Sequence, residues 1–253
     1  MMQGHDVMCV FRCAALCWVL LSCTLVNAEQ RPEVQVGFTP FPGYAYLNEQ
    51  GELAGHTVDL ARTLLDQAGY SYRLRIMPAA RIWVGLADGS IHLWSGVLAR
   101  PEMAEHVRFV RRDFGRIGLN LYARPGQSLP EWPGGLADTR LITVTNYQYS
   151  DEIQVLLGDP QLAVQVVQSA SARGALEMLL RGRGDYLLHY RGQVDPLLIS
   201  RGLEPLPSRL VMNPRIDYML SRQTSYAEQL QHDLESAYDS LLAQGVELHV
   251  TRR

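Results

Sequence analysis

One stretch, residues 77–102 (MPAARIWVGLADGSIHLWSGVLARPE), limits the choice of fold more than any other. A strand ends at Pro78. Ile82, Trp83 and Leu86 then share the face of a helix that opens near Arg81, Gly89 stops it, and 91–94 is a short apolar run of strand length. Strand, helix and strand in that order mark an α/β sheet. Ser95 and Gly96 follow the second strand directly, at the edge of an open α/β sheet where loops diverge and leave a crevice for small ligands.

The first 28 residues stand apart from this pattern. Arg12 precedes an apolar run at 13–26, and Val26-Asn27-Ala28 offers small residues at a cleavage site, the signature of a secretory signal peptide. The run is too short for a stable membrane span. Leu20-Leu21-Ser22-Cys23 provides an alternative lipoprotein site, for which the bulky Leu21 is a poor fit. Cys9, Cys13, Cys17 and Cys23 all fall inside this leader, so cleavage after Ala28 leaves about 225 residues with no thiol. Such a chain has no disulfide, no cysteine nucleophile and no thiolate metal site, and is held by an ordinary hydrophobic core.

All 23 basic residues are arginines, scattered among 26 acids for a net charge of −3, so no basic face for nucleic acid is expected. Without lysine there is no Schiff-base nucleophile and no phosphate-loop lysine. No G-x-S-x-G, H-E-x-x-H or glycine-rich nucleotide signature is present, and no cofactor or metal is expected.

In chain order, strand 33–38 ends in a loop stiffened by Pro40 and Pro42, which presents Phe41 and Tyr44. Residues 48–51 form a turn between short extended pieces. Val58, Ala61, Leu64, Leu65 and Ala68 make a helix that Thr57 caps and Gly69 ends, and strand 72–77 leads into the opening stretch. Strands 107–110 and 118–122 follow, then a Pro- and Gly-rich passage at 124–135. The alternation restarts with strand 141–144, helix 149–157, strand 163–167, helix 172–180, strand 186–189 and helix 194–199. Residues 205–212 return as an extended crossing to strand 215–221. In the last helix Ser225 and Glu228 form a capping box, Leu230, Leu234, Ala237, Leu241 and Leu242 form the apolar face, and Gly245 ends it.

The order Arg81, Leu86, Gly89, Ile91, Ser95-Gly96, Pro101-Glu102 resembles a segment of the bacterial extracellular solute-binding proteins of the polar amino acid-binding type, family 3. Residues 55–60 (GHTVDL) and 175–185 (ALEMLLRGRGD) resemble two further blocks of that family, in its order. The resemblance implies a two-lobed α/β fold of the periplasmic-binding-protein type II, with the ligand cleft between the lobes. Lobe 1 is expected at 29–120 and 212–253, lobe 2 at 125–207, and the hinge crossings near 121–124 and 208–212. It also implies a monomer in the periplasm that captures a small molecule for an ABC-type uptake transporter with a membrane permease, or that reports ligand to a membrane sensor.

The ligand-binding residues so implied are Phe41, Tyr44, Arg81, Trp94, Ser95, Gly96, Arg100, Asn146, Tyr147, Gln148, Tyr149 and Tyr190. Each has a plainer reading: Phe41 and Tyr44 as packing of a Pro-rich turn, Trp94 as core, and the 146–149 segment as helix capping in place of an anion site. Asp59 and Asp185 are assigned to caps or turns. Two departures matter. Where relatives carry the arginine that grips a ligand's α-carboxylate this chain has Met103, with Arg100 three residues earlier, and where they carry the acid for the α-amino group it has Tyr190. A standard amino acid is therefore not the expected ligand, because losing a hydrogen-bonded charge partner costs about 2–5 kcal/mol. An aromatic crevice suits a planar, amphipathic or cationic molecule. An enzyme is not expected. The competing reading is a dehydratase-like enzyme on the same fold, which would draw its acid and base from Glu102, His92 and His189.

Overall fold

In the computed structural model the described residues are 31–97, 101–145, 147 and 149–251, and residues 33–253 form one compact body. The expected signal peptide and its cysteines, and the candidates Arg100, Asn146 and Gln148, lie outside the described residues.

Two five-stranded sheets organise the body. The first contains β1 (Val34–Phe38), β4 (Tyr72–Ile76), β5 (Leu93–Gly96), β6 (Val107–Phe109) and β12 (Asp217–Ser221), in the order β4-β1-β5-β12-β6. β1 runs parallel to β4 and β5, whereas β12 is antiparallel to β5 and β6. The second contains β7 (Leu119–Tyr122), β8 (Arg140–Val144), β9 (Gln165–Ser169), β10 (Tyr186–Tyr190) and β11 (Ser208–Met212), in the order β11-β7-β10-β8-β9. A short hairpin, β2 (Tyr46–Leu47) with β3 (Leu53–Ala54), stands beside the first sheet.

Both sheets carry packing elements on both faces, which is why their central strands read as apolar runs. Helix α1 (His56–Gln67) and the last helix, α6 (Ala227–Ala243), bury Val58, Ala61, Leu64, Leu65, Leu230 and Leu234 with Val34 and Val36 on one face of the first sheet. Helix α2 (Ala79–Asp88) packs Ile82, Trp83 and Leu86 against Trp94 and Met219 on the other. In the second sheet α4 (Ala172–Leu180) and α5 (Arg191–Ile199) cover Tyr122, Ile142, Val144 and Leu187, while α3 (Asp151–Leu157) and Tyr149 cover Leu119, Leu121, Leu141 and Leu188. The assignment alternates along each strand, as period-2 side-chain geometry requires.

Several details differ from the sequence reading. Ser95 and Gly96 are strand residues of β5 opposite Tyr218 and Asp217, not a loop after it. Thr57 does not cap its helix; its hydroxyl donates to the Tyr44 carbonyl at 2.7 Å. The final helix starts two residues past Ser225, with no side-chain cap, so the capping box does not form, and Leu242 is exposed where Tyr238 is buried. Residues 208–212, read as a crossing, pair with β7 inside the second sheet, and 121–122 lie in β7 itself. The chain passes between the sheets at 115–118 and 213–216. There Arg116 bridges Arg215, Ile117 donates to the Pro214 carbonyl at 3.0 Å and Ile216 to that of Gly115 at 3.0 Å.

Candidate functional site

The first sheet contributes a tight turn after β1. Tyr44 and Ala45 both donate backbone N–H to the Phe41 carbonyl, at 2.9 and 2.8 Å, and Gly43 sits at φ 83°, a conformation glycine adopts without strain. This turn is tied to the start of α1. His56 N–H donates to the Gly43 carbonyl at 3.1 Å and Thr57 N–H to that of Tyr44 at 3.0 Å, so N–H groups at the helix start find their acceptors in the loop. Gly55 permits the contact, since a β-carbon there would lie 2.4 Å from the Tyr44 oxygen.

The second sheet contributes Tyr190, at the end of β10, and Tyr147, just beyond β8. The rings from the two sheets meet. Phe41 lies 5.0 Å from Tyr44, 5.7 Å from Tyr147 and 5.1 Å from Tyr190, the last edge to face. Tyr190 is stacked on Tyr149 at 6.5 Å. The Tyr44 hydroxyl touches Gly192 in the first turn of α5, where a β-carbon would come within 2.1 Å of it. Burial pushes the phenols of Tyr44 and Tyr190 up to about 12, so both are neutral donors at ordinary pH.

Behind this cluster lies a polar layer on the α5 side of the second sheet. His189 is fully buried, with Tyr147 edge-on to it at 5.1 Å, and desolvation depresses its imidazole to about 4. Tyr147 donates its hydroxyl to Gln193 Oε1 at 2.5 Å. Asn120 pairs with His189 across β7 and β10, and its amide donates to Ser208 Oγ at 3.3 Å.

Of the residues expected to bind ligand, the structure thus gathers Phe41, Tyr44, Tyr147 and Tyr190, with Tyr149 behind them. Tyr149 is buried and donates its hydroxyl to the Leu188 carbonyl at 3.1 Å, tying the end of β8 to β10. Trp94 is elsewhere, buried edge-on against Trp83 at 4.4 Å, and its indole covers Gly96 so closely that a β-carbon there would lie 2.2 Å away. Ser95 is buried beside it and Arg81 is exposed on α2. The helix expected from 149 begins at Asp151, and Asp151 and Glu152 already offset its positive end. His92 contacts Tyr226 and Gln35 in the first sheet region, Glu102 is exposed, and His189 lies in the second sheet, so these three are not brought together. Asp185 accepts from Arg140 N–H at 2.8 Å and pairs with its guanidinium, a structural role as expected.

The polar layer of Asn120, Tyr122, His189 and Gln193 was not singled out as a binding site from the sequence. Its signal was present: Asn120 interrupts GLNLY and His189 interrupts YLLHY, each a polar residue inside a buried strand. Among the described residues no cluster of three metal-ligating side chains occurs, and no helix is long and apolar enough to cross a membrane. A surface groove of about 690 Å³ lies apart from the aromatic cluster, between the sheet crossings and α6, and its Arg112 is engaged by Asp239.

Comparison with solved structures returns the same architecture. A histidine kinase sensor domain with similarity to periplasmic binding proteins is 16% identical, aligns over 86% of this chain and 93% of its own, and gives a TM-score of 0.64. The arginine-bound form of truncated ArgBP from T. maritima is 16% identical over 85% of this chain and 99% of its own, with a TM-score of 0.60. The GluR0 ligand-binding core in complex with L-glutamate is 13% identical over 85% and 96%, with a TM-score of 0.62. No curated protein matches the sequence. The two sheets are therefore the two lobes of a periplasmic-binding-protein-like fold, and residues 34–245 match the family directly: the chain belongs to the bacterial extracellular solute-binding proteins, family 3.

Proposed function

We propose that this protein captures a small planar or amphipathic molecule between its two lobes and delivers it to an uptake transporter. The observation that carries the reading is the ring cluster itself, built from Phe41 and Tyr44 of one lobe and Tyr147 and Tyr190 of the other. Aromatic faces converging from two lobes offer stacking to a flat ligand, and closing on it excludes water. The nearby charges, Arg191 and Asp195, sit 4.0 Å from each other and largely compensate.

A standard amino acid fits this site poorly. Met103 is buried in the Trp83–Trp94 cluster and Tyr190 packs half-buried in the aromatic one, so neither position offers a charge to a zwitterion. The protein works as a binding protein without chemistry of its own. It acts in the periplasm as a monomer after removal of the first 28 residues. The lobes, 33–114 with 217–251 and 119–212, hinge at the paired crossings 115–118 and 213–216. A second reading, ligand sensing for a membrane receptor, draws support from the likeness to a histidine kinase sensor domain.

Native mass spectrometry of protein purified from its host tests the proposal. A retained small molecule that is not an amino acid is the expected result, together with weak binding of all standard amino acids by calorimetry. Micromolar or tighter binding of any one of them would overturn it.

A further inference from the structure

Beneath the aromatic cluster the second lobe holds polar atoms that the fold does not use. Asn120 Oδ1, the Tyr122 hydroxyl, both ring nitrogens of His189 and Gln193 Nε2 have no hydrogen-bond partner among the described residues. Asn120 and Gln193 are 6% exposed, Tyr122 2% and His189 not at all. A buried polar group without a partner is a liability that a fold rarely keeps, and here several lie in one layer. Asn120 and His189 are cross-strand neighbours, Gln193 lies beside the imidazole, and Tyr122 stands two residues from Asn120 on the same face.

We infer that this layer is the polar floor of the ligand site, and that it receives the edge of a planar, uncharged ring bearing a hydrogen-bond donor next to an acceptor, as in a cyclic amide or a heteroaromatic carboxamide. This rests on the reading of the aromatic cluster as the binding cleft. Geometry supports the link. Tyr147 and Tyr190 bridge the two layers: each ring meets Phe41 on one side and His189 on the other, and the Tyr147 hydroxyl also holds Gln193. Phe41, Tyr147 and Tyr190 form a triangle of rings 5.1, 5.7 and 6.1 Å apart, so a ligand ring enters by displacing Phe41 and reaches His189 and Gln193 past Tyr147.

The chemistry of the floor selects the class. Gln193 Nε2 donates, Asn120 Oδ1 accepts, and a neutral imidazole and a phenol can each do both. No formal charge is among them, and the nearest, Arg191 and Asp195, are paired with each other, so a carboxylate or ammonium placed there would be desolvated without a free counter-ion. An apolar ring would leave the same atoms unpaired, and sites built to hydrogen-bond a ligand discriminate strongly against analogues that cannot.

The test uses the mature chain with uracil and nicotinamide as uncharged amides, and with benzoate and toluene as charged and apolar controls. Binding is followed by calorimetry and by the ¹⁵N signals of His189 in histidine-labelled protein, assigned with His189→Gln. Uracil or nicotinamide should shift the His189 signals and bind about tenfold or more tightly than either control. Gln193→Leu and His189→Phe should each weaken that binding by about tenfold and leave toluene unchanged; His189→Gln, which keeps a polar group, should lose less. If Tyr190→Ala abolishes binding of the amides while His189→Phe and Gln193→Leu leave it intact, the aromatic cleft stands and the polar floor falls. Failure of all four probes to move the His189 signals, or equal binding of toluene and uracil, would overturn the inference.

Discussion

Two clusters of aromatic side chains in this molecule have similar composition and different purposes. Trp83 and Trp94 pack edge to face with Met103 under α2, entirely within one lobe. Phe41, Tyr44, Tyr147 and Tyr190 come from both lobes and from turns or strand ends. The two positions that the family resemblance assigns to amino acid contacts, Met103 and Tyr190, fall one in each cluster. In the first, Met103 has been absorbed into packing, and a thioether filling a gap beside indoles is what cores use methionine for. In the second, Tyr190 has joined the surface that faces the opposite lobe. The two positions thus lie in core on one side and in a candidate binding surface on the other.

The largest expected effect separates these two outcomes. Trp94→Ala should destabilise the protein by about 3–5 kcal/mol in urea unfolding, because it opens a cavity that α2 and β5 have no means to close. Tyr190→Ala removes a half-buried ring from a contact between lobes and should cost less stability. If Trp94→Ala unfolds no more easily than Tyr190→Ala, the contrast between core and cleft is misdrawn.

Much of this architecture was legible in the sequence. The change of period between 77 and 94, and the run 172–180, mark elements the structure contains, because an apolar face and a local stop signal suffice to define them. The Phe41 and Tyr44 turn was legible for the same reason, two prolines and a glycine. What was illegible depends on partners far along the chain. Ser95 and Gly96 became strand residues because β12, more than a hundred residues later, pairs with them. The hydroxyl of Thr57 went to Tyr44 instead of capping its own helix. His189 stood out in the sequence only as a candidate acid or base, and its link to Asn120 emerges only when β7 and β10 set them side by side.

Acid stability provides the next test. The folded imidazole of His189 titrates at about 4 and an unfolded one near 6.5, so between these values the unfolded chain binds a proton that the folded chain does not. Stability contributed by this group is complete above about pH 6.5 and falls as pH drops toward about 4, by up to about 3 kcal/mol. Carboxylates also titrate near the lower end, so the informative quantity is the difference between wild type and His189→Gln. That variant should show a flatter profile in urea unfolding across this range. The Trp83–Trp94 cluster contains no titratable group, and Trp94 variants should keep the wild-type slope.

Two glycines sharpen the comparison further. A β-carbon on Gly96 would strike the Trp94 indole, and one on Gly192 would strike the Tyr44 hydroxyl. Gly96→Ala overpacks the inside of a lobe and should cost about 1–3 kcal/mol with no change in overall dimensions. Gly192→Ala collides across the cleft instead, and the lobes can relieve it by moving apart at the crossings. Small-angle scattering should therefore show a larger radius of gyration for Gly192→Ala and an unchanged one for Gly96→Ala. The reverse pattern would mean that the contact between Tyr44 and α5 is rigid and the lobes do not hinge there.

The smallest expected effect concerns one oxygen atom. Tyr147→Phe keeps the ring against Phe41 and His189 but removes the hydroxyl that donates to Gln193. With that donor gone, Gln193 Oε1 joins its own Nε2 as a buried atom without a partner, which should lower stability by about 1 kcal/mol. A ligand able to donate to Gln193 would supply the missing bond, so the deficit should shrink in the presence of uracil or nicotinamide and persist with toluene. Trp94→Phe offers the matching control in the other cluster: it also leaves an aromatic ring, but the buried indole N–H it deletes has no partner among the described residues, so nothing is orphaned by its loss. Its stability deficit should be the same with every probe. A deficit in Tyr147→Phe that no probe relieves would make the Tyr147–Gln193 bond a structural tie, and the second cluster would then resemble the first more than its position between the lobes implies.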